Sequence, residues 1–237
     1  MDATTITAAA PDSPPSTTGG ARRPLKSRDA RWARALAARL AGAGVSPNAI
    51  SLFSVACAAL AGACYVGAAF VASPWLRGAL YVLAVVGIQS RLLCNLLDGM
   101  VAVEHAKASP NGEIFNDLPD RLADAILFAS VGYCAGGVVG VSLGWAAAVS
   151  AILTAYVRVL GKSIGGQTRF IGPMAKQHRM ALLTAASLLA AVLAHWGWDR
   201  RTFAVTLGVV IVGCAATVVR RLRLTAADLG ARQGKPL

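Results

Sequence analysis

Residues 49–72 read AISLFSVACAALAGACYVGAAFVA and contain no charged side chain. An α-helix of about 20 apolar residues crosses the hydrocarbon core of a bilayer. A run of this length therefore predicts a membrane-spanning helix. Similar runs recur along the chain, and we predict six spans, at about 49–72, 78–101, 121–139, 141–160, 180–197 and 202–219.

The overall composition agrees with a membrane protein. Of the 237 residues, 56% are apolar and only 14% are charged, and the mean hydropathy is +0.57. A soluble domain normally devotes about a quarter of its residues to charge. A soluble, all-helical core is the alternative, but apolar runs of this length argue against it. The predicted fold class is all-α: a polytopic membrane protein with six transmembrane helices preceded by an amphipathic interfacial helix.

Positive charge is concentrated on one predicted side of the membrane. Lys and Arg number 23 against 11 Asp and Glu, and the formal net charge is +12. The predicted opposite side keeps only Arg77, Arg200 and Arg201. Because cytoplasmic loops carry the excess of Lys and Arg, both termini are predicted to be cytoplasmic, in a bacterial-type inner membrane. Anionic lipid headgroups attract such charges, so membrane lipids are the expected partners and nucleic acid is not.

The regions outside the spans are short. Residues 1–20 are rich in Ala, Thr, Ser and Pro, which indicates a disordered tail. Trp32, Leu36 and Leu40 recur at steps of four, which is typical of a helix in the headgroup region, with an exposed linker helix as the alternative. The predicted parts are a disordered tail (1–26), an amphipathic juxtamembrane helix (27–44), a six-helix membrane domain (45–224) and a C-terminal tail (225–237).

The segment 91–124, RLLCNLLDGMVAVEHAKASPNGEIFNDLPDRLAD, holds six of the chain's 11 acidic residues. Asn95 and Asp98 share a helix face at the end of the second span, and Asn116, Asp120 and Asp124 share another if a helix starts near residue 116. Pro119 would then lie in its first turn. If the two helices are neighbours, their oxygen atoms suit a hard cation such as Mg²⁺ or Mn²⁺. The alternative is a solvated loop whose acids balance nearby basic residues.

These residues resemble the CDP-alcohol phosphatidyltransferase family, whose motif reads D-x2-D-G-x2-A-R-x8-G-x3-D-x3-D. The spacing agrees at every step. Asp98, Gly99, Ala102, Gly112 and Asp120 match the motif. Asn95 and Asn116 replace two aspartates, and Val103 replaces the arginine. In addition, GEIFNDLPD (112–120) is similar to GELFDHGCD of the family's aminoalcohol branch.

The resemblance implies an enzyme that moves a substituted phosphate from a CDP-linked lipid to an alcohol and releases CMP. It implies a Mg²⁺ or Mn²⁺ site lined by Asn95, Asp98, Asn116 and Asp120, with Asp120 as the base for the acceptor hydroxyl. Asp98 would also contact the CDP diphosphate. Asp124, one turn beyond Asp120, is our predicted additional metal ligand, because it would restore charge that the asparagines lack.

The remaining assignments concern the two substrates. Gly99 leaves room for a close-lying ligand, and Ala102 and Gly112 complete the predicted donor-binding positions. Arg158 would suit an anionic group such as a polyol phosphate, although sidedness alone also explains a basic residue there. The expected function is phosphatidyl transfer from CDP-diacylglycerol to an alcohol in phospholipid biosynthesis.

Two alternatives remain open at this point. One is transfer from a CDP-alcohol to diacylglycerol, and the other is a non-catalytic protein that binds lipid or nucleotide. Homodimers are common in the family, and small residues along the spans permit close helix packing.

Overall fold

The computed structural model describes residues 30–104, 112–166 and 171–232. The predicted tail 1–26, part of the acidic segment (105–111) and residues 233–237 lie outside this range. The described residues form α1 (Arg31–Gly42), α2 (Pro47–Phe70), α3 (Pro74–Glu104), α4 (Gly112–Ala135), α5 (Gly137–Ser163), α6 (Lys176–Leu193) and α7 (Asp199–Arg232). A short 3-10 helix, Ala194–Trp196, follows α6. The all-α class is therefore confirmed.

Five of these helices, α2, α3, α5, α6 and α7, are long and apolar enough to cross a membrane. Helix α4 has the length but carries the charged residues Asp120, Arg121 and Asp124 near its middle. The predicted count of six spans therefore stays a prediction. Large apolar side chains point away from the bundle, among them Val205 and Val212 of α7, as expected for a surface that faces lipid. The protein is an integral membrane protein.

The long helices alternate in direction, so the bundle has two ends. The ends of α3 and α5, the starts of α2, α4 and α6, and the end of α7 share one of them, which we call the site end. Helix α1 lies at this end and buries Ala33 and Ala37 against α3. Ser46 accepts a hydrogen bond from the Ala49 N–H (3.2 Å) and Pro47 is the first residue of α2, which explains where that helix begins.

Helices α4 and α5 approach closely because both carry glycines at the crossing. A Cβ on Gly144 would lie 2.7 Å from the Cα of Gly132 and 2.8 Å from the carbonyl oxygen of Phe128. Such contacts between small residues are a common way of packing helices in membranes. The core between the helices also contains the edge-to-face pair of Tyr65 and Phe203, whose ring centroids are 5.7 Å apart.

The structure differs from the sequence prediction at several helix boundaries, two of which matter most. Helix α4 begins at Gly112 rather than near residue 116, so Pro119 lies inside the helix and not in its first turn. Because proline has no N–H, the Phe115 carbonyl, four residues earlier, does not receive the usual helical hydrogen bond from residue 119. Helix α7 continues to Arg232, past the predicted end of the sixth span at residue 219.

Candidate active site

The motif residues of α3 and α4 meet at the site end. The amide Nδ2 of Asn95 donates to Oδ1 of Asp120 at 3.0 Å. On α2, the Ser51 hydroxyl donates to Oδ2 of Asp98 at 2.5 Å. Asp98 and Asp120 are both buried. Helices α3 and α4 therefore place two carboxylates and one amide at the same end of the bundle, and α2 adds a hydroxyl.

Asp120 is surrounded by cations from three helices. The Lys176 Nζ, at the first position of α6, lies 2.5 Å from both carboxylate oxygens. Arg91 of α3 approaches Oδ1 at 3.5 Å, and Arg121 approaches Oδ2 at 3.8 Å. The carboxylate is not fully shielded from solvent, since its side chain is 12% exposed. A small molecule arriving from this end could therefore reach it.

Asp124 forms a buried ion triad with two arginines. Its Oδ1 accepts from Arg91 at 2.8 Å and its Oδ2 accepts from Arg179 at 2.6 Å. Arg91 also donates to the Asp120 carbonyl (3.2 Å), and Arg179 donates to the hydroxyl of Thr154 (3.0 Å). These contacts tie α3, α4, α5 and α6 together. Each oxygen of Asp124 accepts from one arginine, so the carboxylate is already paired with two buried cations, and its predicted metal role stays a prediction.

The other predicted site residues lie around this centre. Asn116 is exposed on the first half of α4. Gly99 and Ala102 are half-buried near the end of α3, as is Gly112 at the start of α4. Arg158 donates from Nη2 to both oxygens of Asp117, at 3.0 and 3.2 Å, and so holds α5 against α4.

The donor atoms fit a hard divalent cation, but with few protein ligands. Among the residues that the structure describes, no three His, Cys, Asp or Glu side chains are placed together to hold a metal ion. Asp98 and Asp120 supply carboxylates, and the amide oxygen of Asn95 remains available because its nitrogen makes the bond to Asp120. Mg²⁺ is often held by one or two carboxylates with substrate phosphates completing its shell. The site suits that kind of binding.

Three participants are not assigned by the sequence: Ser51, Lys176 and Arg179. For Ser51, a hydroxyl at the start of an apolar span is only a weak signal for a polar partner. Arg91 and Asp124 do interrupt apolar stretches, and charges at such positions usually pair with one another. Arg179 follows other polar residues just before the fifth predicted span, so the sequence does not signal its part in the triad.

Comparison with known proteins yields relatives that are similar in sequence. A bifunctional IPC transferase and DIPP synthase from Rubrobacter xylanophilus is 32% identical over 152 residues, 62% of this chain and 32% of that protein. The chain thus spans about a third of that relative's length. An archaetidylinositol phosphate synthase from Methanothermobacter thermautotrophicus is 30% identical over 147 residues, 62% of this chain and 67% of that protein. No protein-family model matches the chain.

Two solved structures share the fold, both of phosphatidylinositol phosphate synthase from Mycobacterium tuberculosis. The structure with CDP-DAG bound has a TM-score of 0.65 at 17% identity and covers 85% of this chain and 97% of that one. The complex with manganese and citrate has a TM-score of 0.64 at 17% identity, with 84% and 91% covered. The chain belongs to the CDP-alcohol phosphatidyltransferases, a family of membrane enzymes. The resemblance seen in its motif is confirmed.

Proposed function

We propose that the protein transfers a phosphatidyl group from CDP-diacylglycerol to a hydroxyl of a polyol phosphate and releases CMP. The observation that carries this proposal is the meeting of Asp98 and Asp120 at one end of a membrane bundle, beside a group of fixed cations. The relatives support it, since two are named as synthases of inositol phosphate lipids and one structure contains CDP-DAG. The site end would face the cytoplasm, as the distribution of Lys and Arg predicts.

In this reaction the acceptor oxygen forms a bond to the phosphatidyl phosphorus. The bond from that phosphorus to the bridging oxygen of the diphosphate breaks, and CMP leaves with the electron pair. Asp120 would take the proton of the acceptor hydroxyl, a contribution worth about 10²–10⁴-fold in rate for a well-placed general base. A bound Mg²⁺ or Mn²⁺, held by Asp98, Asp120 and the amide oxygen of Asn95, would supply positive charge to the diphosphate.

Basic residues near the carboxylates favour a phosphorylated acceptor over a neutral one. Lys176, Arg121 and Arg91 lie within 4 Å of Asp120, and Arg158 lies one turn of α4 away, on Asp117. Charge-assisted hydrogen bonds to a phosphate are about twice as strong as neutral ones. Arg91 and Arg179 also serve the buried triad, so Lys176, Arg121 and Arg158 are the cations best placed to meet a substrate.

The test is CMP release by purified protein in liposomes that contain CDP-diacylglycerol and Mn²⁺ or Mg²⁺. The acceptor panel pairs inositol 1-phosphate with inositol, and glycerol 3-phosphate with glycerol, and includes serine. We expect metal-dependent release with a phosphorylated acceptor and little with its neutral partner. A parallel reaction with CDP-choline and diacylglycerol tests the opposite donor arrangement.

Variants assign the chemistry to the proposed residues. Asp98→Asn and Asp120→Asn should each lower CMP release by at least about 100-fold. Asp228→Asn, the same change near the end of α7, is the matched control and should retain activity. Undiminished release by the Asp120 variant would refute its role as the base. Failure of every acceptor with both donors would refute the transferase proposal.

A further inference from the structure

Lys176 occupies an unusual position for a basic residue. It is the first residue of α6, where the helix dipole places partial positive charge, and the first turn of α6 contains no acidic residue. A cation at a helix N-terminus is unfavourable by about 0.3–1 kcal/mol. Its compensation comes from another helix, because its Nζ contacts both oxygens of Asp120. The position of Lys176 is therefore set by Asp120 rather than by its own helix.

The segment that leads to Lys176 is held in place by α7. The Thr217 hydroxyl accepts from the Met174 N–H at 3.0 Å, and the Arg221 Nε donates to the Ile171 carbonyl at 3.0 Å. The Lys176 side chain itself is 22% exposed. The Lys176 ammonium is therefore a fixed charge. It contacts both oxygens of the Asp120 carboxylate, and a metal ion could bind the same two atoms.

The charges of the site limit how many divalent ions it can hold. Asn95 and Asn116 stand where the family motif has aspartates, which leaves Asp98 and Asp120 as the motif's carboxylates. The nearby carboxylates of Asp124 and Asp117 already pair with arginines. One divalent ion together with Lys176 and Arg121 exceeds the charge of Asp98 and Asp120 by about two units, and a second ion raises that excess to about four.

We infer that this site binds a single divalent ion, held from the Asp98 side, and that the Lys176 ammonium takes the place of a second metal ion at Asp120. The inference rests on the proposed function, and it concerns how this particular chain compensates for its two asparagines. An ammonium is a compact charge with three donors, so it can neutralise a carboxylate and also contact a phosphate oxygen. It differs from a metal ion in being part of the chain, so chelators cannot remove it.

The experiment measures Mn²⁺ binding rather than activity. The full-length protein in detergent is titrated with Mn²⁺, and the free ion is followed by electron paramagnetic resonance to obtain the number of ions per chain and their Kd. We expect one ion per chain for the wild type. Lys176→Met removes the charge but keeps most of the side-chain length, and it should tighten binding at least about tenfold or admit a second ion.

Two further titrations test the inference: one with a control variant and one with a variant in which both asparagines are replaced by aspartate. Lys162→Met removes a basic residue from the end of α5 and should leave the Kd within about twofold of the wild type, as expected for a screened surface charge. Asn95→Asp and Asn116→Asp, added to Lys176→Met, should give two ions per chain. Two ions in the wild type, no ion in the wild type, or a Lys176→Met titration identical to that of Lys162→Met would each overturn the inference. CMP release tests the proposed function separately, since a transferase that binds two ions would fail only the inference.

Discussion

Replacing Asp124 by Asn is expected to destabilise the protein strongly. Asp124 is fully buried, and its two oxygens accept from Arg91 at 2.8 Å and from Arg179 at 2.6 Å. Removing one partner of a buried ion pair costs about 3–5 kcal/mol, because a charge is left buried without compensation. Here two buried arginines lose the same counter-ion, so we expect a value in the upper half of that range.

A thermal melt in detergent can measure this effect against a control. For a protein of this size, 1 kcal/mol corresponds to a change in Tm of roughly 2–4 °C, so Asp124→Asn should lower the Tm by about 8–20 °C. Asp117→Asn removes the same charge from the same helix, but the Asp117 side chain is 44% exposed and pairs with Arg158 at 3.0 Å. Pairs at such sites contribute about 0–1 kcal/mol, so the control should lower the Tm by less than about 4 °C.

The cause can be checked by removing the whole triad. A variant with Asp124→Leu, Arg91→Met and Arg179→Met leaves no unpaired charge, and replacement of a buried ionic group by apolar residues is often neutral or stabilising. This triple variant should have a higher Tm than the Asp124→Asn variant. Equal Tm values for Asp124→Asn and Asp117→Asn, or a triple variant that melts below Asp124→Asn, would refute the account of the triad.

Two further predictions concern packing and hydrogen bonding away from the site. Gly144→Ala should lower the free energy of unfolding by about 1–3 kcal/mol, because its Cβ would lie 2.7 Å from the Cα of Gly132. The control is Gly208→Ala on α7, where no atom lies within 4 Å of the added Cβ, and it should raise the free energy of unfolding by up to about 1 kcal/mol. Coinciding denaturation curves for the two variants would contradict the close crossing of α4 and α5. Tyr81→Phe should lower the free energy of unfolding by about 1.5–3 kcal/mol, because the Tyr81 hydroxyl donates to the buried Asp199 carboxylate at 2.9 Å. A free energy of unfolding within about 0.5 kcal/mol of the wild type would count against that hydrogen bond.

The long helices were predictable because apolar run length relates directly to bilayer thickness. All six predicted spans correspond to long helices in the structure, with ends that differ by a few residues or more. The largest differences occur where the sequence signal is local and weak. A proline is tolerated best in the first turn of a helix, yet Pro119 lies inside α4, because the helix begins at Gly112 rather than near residue 116.

The motif spacing also predicted which residues of α3 and α4 come together. Asn95 and Asp120 are 25 residues apart in sequence, and their side chains form a hydrogen bond. The spacing indicated this contact because residues spaced by three or four share a helix face. Over their described residues, helices α3 and α4 do not pack closely on each other; α2 packs against both, and the side chains of Asn95 and Asp120 meet at the site end. The metal roles of Asn95, Asp98, Asn116, Asp120 and Asp124 remain predictions.

The sequence by itself determined the class of protein, the alternating direction of its helices and the position of two carboxylates at one end of the bundle. Only the tertiary structure decided which partners each acidic residue meets there. Asp120 and Asp124 are one turn apart and looked equivalent in the sequence, yet Asp120 meets Lys176 at the open end of the site and Asp124 is enclosed by Arg91 and Arg179. A buried charge takes the counter-ions that packing brings within reach, and these come from helices distant in sequence, so local spacing cannot reveal them.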